Sequence, residues 1–557
     1  MLKKLLNISK NEEDSQAALL MAQVTPSYSA REQLYTQLTD KYPQVGVFWY
    51  TRALNDLEEA MKNTDSQESQ HLFAQSADFF RKAFSQLKEI DPPLAAAAIK
   101  YQAIALQKGE HPAQASQLLE ELMEIYPSHW KAMEHPDEIL YLHGVFSQLQ
   151  DKNDQAERSL TAASEGKHFG DVALKSLGDL YYKNGQYELA EKTYLRLVAS
   201  FPQSPLCGEA LFLSALCSDK LQKDPSIARE RRRTVFEKYP ESSYAPEAYF
   251  TYYTYQDYLQ GDKQAIKHLQ NFVDKYPKNP FLIEAYYLIG LDSKRDRKSA
   301  AGKWIKKKNL MEAIDAFQES ETLFDTCDIP LEQMHYYEAV RNQSTLERAK
   351  ANLAIAEESQ GAKREIYLDY AKTVFKHLVD IVKAEDQFSL AQESAYWLAR
   401  TYMQQQQHPQ AQKMFSQVIE RYRQANVTHT YYLSRAYYEL GMISLQQKDY
   451  AAALKAFQSA DQLNTLLNTE QKLDLWIQES LCYSGLMQYD QAILTLSKVI
   501  NDASISTLRL KAMWMRAETY EAYHRPELAR KQLESLAKKG GEWASKAKEK
   551  LEKTYVY

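Results

Sequence analysis

The chain has 557 residues, of which only 16 are Gly and 17 Pro, while 39 are Tyr. Folds that need Gly at tight turns and phosphate loops, such as a dinucleotide-binding sheet, are poorly served by so few, and helices joined by short turns are the expected alternative. With 68 Lys+Arg against 74 Asp+Glu the net charge is −6, which gives no global electrostatic drive toward nucleic acid or an anionic membrane.

From the N-terminus, the basic opening Met1–Lys4 gives way to Glu12, Glu13 and Asp14 where an export signal carries its apolar region. No run reaches the ~18 apolar residues of a membrane-spanning helix. The expectation is a cytoplasmic protein, with the periplasm or cell envelope as the alternative if Met1 is not the natural start. Residues 1–95 read as a degenerate helical region in which Tyr42-Pro43 marks one repeat-like stop.

Residues 96–291 read as a first array of repeats. Ala96 opens a unit with Ala103, Ala115, Leu119 and Pro127, and Asp137 another with Leu140, Gly144, Ala156 and Leu160. The clearest unit runs from Asp171 to Pro202. Leu174, Leu177 and Tyr181 form an apolar stripe at helical spacing. Gly178 and Ala190 are small enough for two helices to approach closely, Asn184-Gly185 supplies the turn, and Pro202 stops the second helix. Phe201-Pro202, Tyr239-Pro240 and Tyr276-Pro277 recur at nearly constant spacing, each followed by Ser204, Ser242 or Asn279 as a cap for the next helix.

Residues 292–308 read as a basic insertion, 309–391 as a connector of longer helices turning at Gly361, 392–540 as a second array and 541–557 as a capping helix. The second array repeats the frame in units from Gln392, Ser434, Leu473 and Leu510. Two lobes hinged around 292–330 are expected.

This frame resembles the tetratricopeptide repeat (TPR). The resemblance implies an all-α, TPR-like helical-hairpin solenoid, a right-handed superhelix of about 10–12 hairpins. It also implies a concave groove, lined by first helices at positions 2, 5, 9 and 12 of each unit, that binds peptide or helical segments of partner proteins. Carried onto the second array, these positions give Tyr396, Tyr438 and Trp514 at position 5. Arg400, Met442, Leu481 and Glu518 fall at position 9, and Arg435 at position 2. Aromatic, Met and Arg side chains are enriched at interface hot spots, though the same side chains would also serve packing between repeats. The aromatic-Pro stops of residues 171–290 resemble those of bacterial envelope TPR proteins of the BamD and CpoB type, which implies a bacterial source and a role in cell-envelope assembly or coordination.

Chemistry is sparse. HExxH, GxSxG and GxGxxG are absent, no two histidines stand three or four apart, and Glu pairs such as Glu120-Glu121 are adjacent and so do not share a helix face. Cys207 and Cys217 fall ten residues apart on one predicted helix, about 15 Å, too far for a disulfide. The expectation is a non-catalytic scaffold with no cofactor, metal or small-molecule substrate. The alternative is a nucleic-acid or membrane-surface binder acting through Lys294, Arg295, Arg297, Lys298, Lys303, Lys306, Lys307 and Lys308. A second basic run, Arg229 to Arg233, reads as a salt-bridged helix face.

Overall fold

The computed structural model describes residues 12–63, 66–254, 263–298, 304–381, 388–425, 431–463, 468–502 and 506–555. The chain divides into two compact units, Met1–Ala265 and Ile266–Tyr557. Among the described residues no helix is long and apolar enough to cross a membrane.

In the first unit successive helices pair as hairpins. α1 (Glu12–Val24) packs on α2 (Tyr28–Lys41), α3 (Gly46–Lys62) on α4 (Ser66–Leu87), and α5 (Pro92–Lys108) on α6 (Pro112–Ile125). After the short α7 (Pro127–Lys131), α8 (Asp137–Gln148) packs on α9 (Asn153–Ala163), α10 (Gly170–Lys183) on α11 (Tyr187–Ser200), and α12 (Cys207–Lys220) on α13 (Pro225–Lys238). α14 (Ala245–Tyr253) follows.

The second unit takes in most of α15 (Lys263–Lys275) and then six hairpins of its own. These are α16 (Phe281–Ser293) with α17 (Leu310–Thr326), α18 (Met334–Glu357) with α19 (Gly361–Ile381), and α20 (Phe388–Gln404) with α21 (His408–Ala425). The last three are α22 (Tyr431–Gln446) with α23 (Tyr450–Gln462), α24 (Thr469–Gly485) with α25 (Tyr489–Asn501), and α26 (Ser506–Ala522) with α27 (Pro526–Ala537). α28 (Glu542–Thr554) covers the end. Within each unit the first helix of a hairpin also packs on the second helix of the hairpin before it, as α12 does on α11 and α24 on α23, so successive hairpins bury apolar surface that each could not bury alone.

Close approach within a hairpin depends on small residues. A Cβ added to Gly178 would lie 2.4 Å from the ring of Tyr194, and one added to Gly441 2.5 Å from that of Phe457. Both rings are fully buried and have nowhere to retreat.

The turns inside the hairpins explain the low Gly content. Gly185 has φ 73°, the left-handed conformation that ends α10, and the Gln186 N–H then donates to the Tyr181 carbonyl at 2.8 Å. The same closure recurs with non-Gly residues at the left-handed position. Glu110, Asp151, Gln222, Gln406, Lys448, Met487 and His524 all have φ between 52° and 65°. Each is followed by an N–H that reaches back five residues, as Asp449 to Ser444 (2.9 Å) and Gln488 to Tyr483 (2.8 Å). This is the hydrogen bond of a Schellman cap, made here at the expense of a conformation that L-residues disfavour.

The expected helix stops are present, since α11, α13 and α15 end immediately before Phe201-Pro202, Tyr239-Pro240 and Tyr276-Pro277. Their polar residues act slightly upstream of where N-caps would. Ser204 and Ser242 accept from the N–H of Leu206 (3.2 Å) and Tyr244 (3.3 Å), each one residue before its helix, while Asn279 accepts from Phe281 at 3.0 Å.

The arginine run of α13 is largely ion-paired. Arg231 reaches the buried Glu191 (2.7 Å), which also accepts from Ser218 (2.7 Å) and Lys223. Arg232 pairs with Asp219 and Arg233 with Glu237 (2.9 Å). The described residues of 12–95 form two hairpins, α1–α2 and α3–α4, and α3 and α4 share a core around Phe79, Phe80 and Ala83 with Ala98 and Ala105 of α5.

Candidate protein-interaction surface

Helical spacing places Tyr396 and Arg400 on one stripe of α20. Arg435, Tyr438 and Met442 share a stripe of α22, Ile477 and Leu481 one of α24, and Trp514 and Glu518 one of α26. These are the first helices of four consecutive hairpins. Most of the side chains turn out to be held by the neighbouring first helix.

Tyr396 is only 2% exposed, its ring packed on Phe415 and Tyr432. Its hydroxyl donates to Glu439 (3.3 Å) and accepts from Arg435 Nε (3.3 Å). Burial, with the Glu439 carboxylate nearby, lifts its phenol above the ordinary tyrosine range. Arg435 also approaches Glu439 (3.7 Å), and Arg400 spans Glu439 (3.9 Å) and Glu357 (4.0 Å). Glu439 is therefore the hub that draws three candidate residues together. It occupies position 6, outside the groove positions, and carries no signal of that role in the sequence.

One repeat further on, Tyr438 donates its hydroxyl to Asp474, and the Arg435 guanidinium lies 5.5 Å from the centre of its ring. Burial and the Asp474 carboxylate both push this phenol upward. Met442 is half-buried against the cluster around Phe457, whereas Leu481 remains 39% exposed. At the end of the array the capping helix contacts the remaining pair, though Glu518 stays exposed. Trp514 packs on Trp543 with ring centres 6.1 Å apart, Lys550 sits 5.1 Å over the Trp514 ring, and Glu518 lies 4.0 Å from Lys550.

Between α22, α24 and α26 lies a cavity of about 330 Å³ lined by Arg435, Tyr438, Asn468, Glu470, Gln471, Asp474 and Leu508. Two candidate residues, Arg435 and Tyr438, form one wall.

The polar contacts continue upstream as a ladder across α16, α18 and α20. Lys294 pairs with Glu347, and Lys350 pairs with both Glu347 (2.8 Å) and Glu393. Burial disfavours the charge on Glu347, but Lys350 and Lys294 outweigh it and hold the carboxyl below its ordinary range.

Two members of the basic insertion are thus tied down. Besides Lys294, Lys308 pairs with Glu358, the residue that caps the end of α18, and donates its N–H to Asp296 (2.8 Å). The Asn309 N–H closes the base of the insertion on the Ser293 carbonyl (2.7 Å). Between these anchors, β1 (Arg297–Lys298) and β2 (Trp304–Lys306) pair antiparallel, a short ribbon the sequence does not announce. Arg295 and Lys307 are exposed. Lys303 lies outside the described residues, as do the side chains of Arg297, Lys298 and Lys306.

Among the described residues no group of three or more His, Cys, Asp or Glu is placed to hold a metal ion. The fold does bring His135 and His168 together, ring centres 4.1 Å apart, a pairing that 33 residues of separation hide in the sequence.

Models of the tetratricopeptide repeat match residues 391–460 and, in two overlapping stretches, 150–205 and 175–226. The first stretch contains Tyr396, Arg400, Arg435, Tyr438 and Met442. No curated protein sequence matches the chain. Among solved structures, the chain is similar to the Cut9–Hcn1 hetero-tetramer of the APC/C at 15% identity, covering 98% of this chain and 97% of that one with a TM-score of 0.33. It is also similar to the C-terminal part of a TPR protein from Cytophaga hutchinsonii, at 14% identity over 49% of this chain and 98% of that one, TM-score 0.38. A TPR protein from Parabacteroides merdae matches at 16% identity over 54% and 98%, TM-score 0.31.

Proposed function

We propose that this tetratricopeptide-repeat solenoid is a non-catalytic scaffold that takes peptide or helical segments of partner proteins along the first helices of its second array. The observation that carries the reading is the contrast on α22 and α24. Tyr438 and Asp474 are spent on one another, while Leu481 and the half-buried Met442 are left as apolar contact surface on the same stripes. An apolar centre within a polar rim is the usual anatomy of an interface. The aromatic-Pro stops support a bacterial cell-envelope setting. The ion pairs of Lys294 and Lys308 support a structural role for the basic insertion over a nucleic-acid or membrane-surface one.

The test is site-specific photo-crosslinking in cells, with the crosslinker at Leu481 or at Leu494, an equally apolar residue that is 56% exposed on the second helix α25. The expected result is discrete partner adducts from position 481 that are absent from 494 and lost with Met442→Ser. Equal labelling from the two positions sinks the groove assignment. Fractionation of the same cells tests the envelope setting.

A further inference from the structure

The cavity between α22, α24 and α26 has walls of mixed chemistry. The ring of Tyr438 and the half-buried Leu508 supply apolar surface, and Glu470 and Asp474 supply two carboxylates. Among the described residues neither carboxylate is paired with a cation. Asp474 accepts only neutral donors, the Tyr438 hydroxyl and Gln478 Nε2 (3.3 Å). The one cation in the lining, Arg435, is already committed to Glu439 (3.7 Å) and to the Tyr396 hydroxyl (3.3 Å). The positive end of α24 is answered within the helix, because Asn468 and Gln471 form a reciprocal capping box (2.9 and 3.1 Å). What remains is an acidic pocket with apolar flanks. Its volume of about 330 Å³ leaves room for one long side chain.

We propose that this pocket receives a cationic side chain, arginine or lysine, of the protein segment bound in the groove, an inference that rests on the groove reading above. A long cationic residue matches both features of the site, because its aliphatic stem lies along apolar surface while its head meets carboxylates. Leu481 stands seven residues beyond Asp474 on the same helix, about 10 Å along the axis. Three residues of extended chain, at about 3.3 Å each, span that distance. The occupant is therefore a segment that carries a cation about three residues from a large apolar side chain.

Random peptides displayed against the full chain provide the probe. Selected peptides are expected to carry Arg or Lys about three residues from Leu, Ile, Met or Phe. Replacing that Arg by citrulline should weaken binding tenfold or more. The variant Glu470→Gln/Asp474→Asn should do the same, and the two changes together should cost no more than either alone. If the selected peptides depend on Leu481, by its loss in Leu481→Ser, but ignore both citrulline and the double variant, the groove stands and the cation pocket falls. Selection of acid-rich peptides overturns the pocket likewise. If no selected peptide responds to Leu481→Ser, or none is selected, the groove reading fails and the pocket with it. Should the double variant not fold, the citrulline arm decides alone.

Discussion

The Tyr438 hydroxyl donates to the Asp474 carboxylate, joining the first helices of two successive repeats. The same motif recurs elsewhere: Tyr181 donates to Glu157 (2.7 Å), Tyr194 to Asp179 (2.8 Å), Tyr336 to Glu284 (2.7 Å) and Tyr555 to Glu521 (2.7 Å). Part of the tyrosine excess is therefore spent on phenol-to-carboxylate links between elements, where Phe would fill the space but leave an acceptor stranded. Tyr438→Phe is expected to destabilise the α22–α24 contact by about 1.5–3 kcal/mol, the range for hydrogen bonds to charged groups. Amide exchange in those two helices measures it. In a double-mutant cycle with Asp474→Asn, a coupling energy near zero would remove this link from the account.

The left-handed turn residues make a second prediction. Met487 has φ 61° and a side chain 77% exposed, so it bears the conformational cost without packing in return. Met487→Gly should stabilise its hairpin by about 0.5–1 kcal/mol, the relief of left-handed strain less the greater freedom of the unfolded chain. Met487→Ala, which keeps a Cβ, should be nearly neutral. Thermal unfolding that ranks Ala above Gly contradicts the strain.

Glu479, buried on α24, titrates in the upward direction. Burial, reinforced by the Asp461 carboxylate and only partly relieved by Lys498, pushes its carboxyl up to about 7. A raised carboxyl value means that the folded state binds the proton more tightly than the unfolded chain. Its contribution is fully present below about pH 4 and is lost as pH rises through 7, by at most about 3 kcal/mol. Glu479→Gln should therefore gain stability over the parent at pH 8 and little at pH 5. A gap that is the same at both values refutes the assignment.

Glu191 behaves oppositely. Burial opposes its charge, but hydrogen bonds from Lys223, Ser218 and Arg231 prevail and hold the carboxyl down to about 2. Stability from this cluster is present above the ordinary carboxyl value and is lost as pH falls from about 4.5 toward 2. Glu191→Ala leaves the half-buried Arg231 with only the neutral acceptors of Ser214 and Ser218 and should cost about 3 kcal/mol at pH 7. Melting curves of the parent and the variant should converge as the pH is lowered; a constant gap disproves the mechanism.

The local grammar of the fold was legible in the sequence. Leu174, Leu177 and Tyr181 lie within a few turns of one another, and Asn184-Gly185 closes its own turn, so helix periodicity and turn chemistry suffice to find them. The candidate surface was less legible, because its state depends on contacts between repeats. Tyr396 occupies a groove position by register, yet its burial comes from Tyr432, Arg435 and Glu439, some forty residues away. Likewise Lys294 looks like part of a free basic run until Glu347, 53 residues on, takes it up. Trp514 resembles an exposed anchor until the capping helix lays Trp543 and Lys550 against it. Spacing gives the face on which a side chain lies, but not whether the next repeat has already engaged it.

The ladder of contacts from Lys294 through Glu393 and Glu439 to Asp474 also bears on affinity and selectivity. Side chains that hold one another in fixed rotamers have surrendered their freedom during folding, so under the groove proposed above a partner at Leu481 would meet a rigid frame and have little left to immobilise. The penalty of such rigidity falls on mismatched ligands, since a frame locked by internal ion pairs cannot rearrange to rescue a poor fit. Under that proposal the surface would discriminate by shape, with a selectivity set as the array folds.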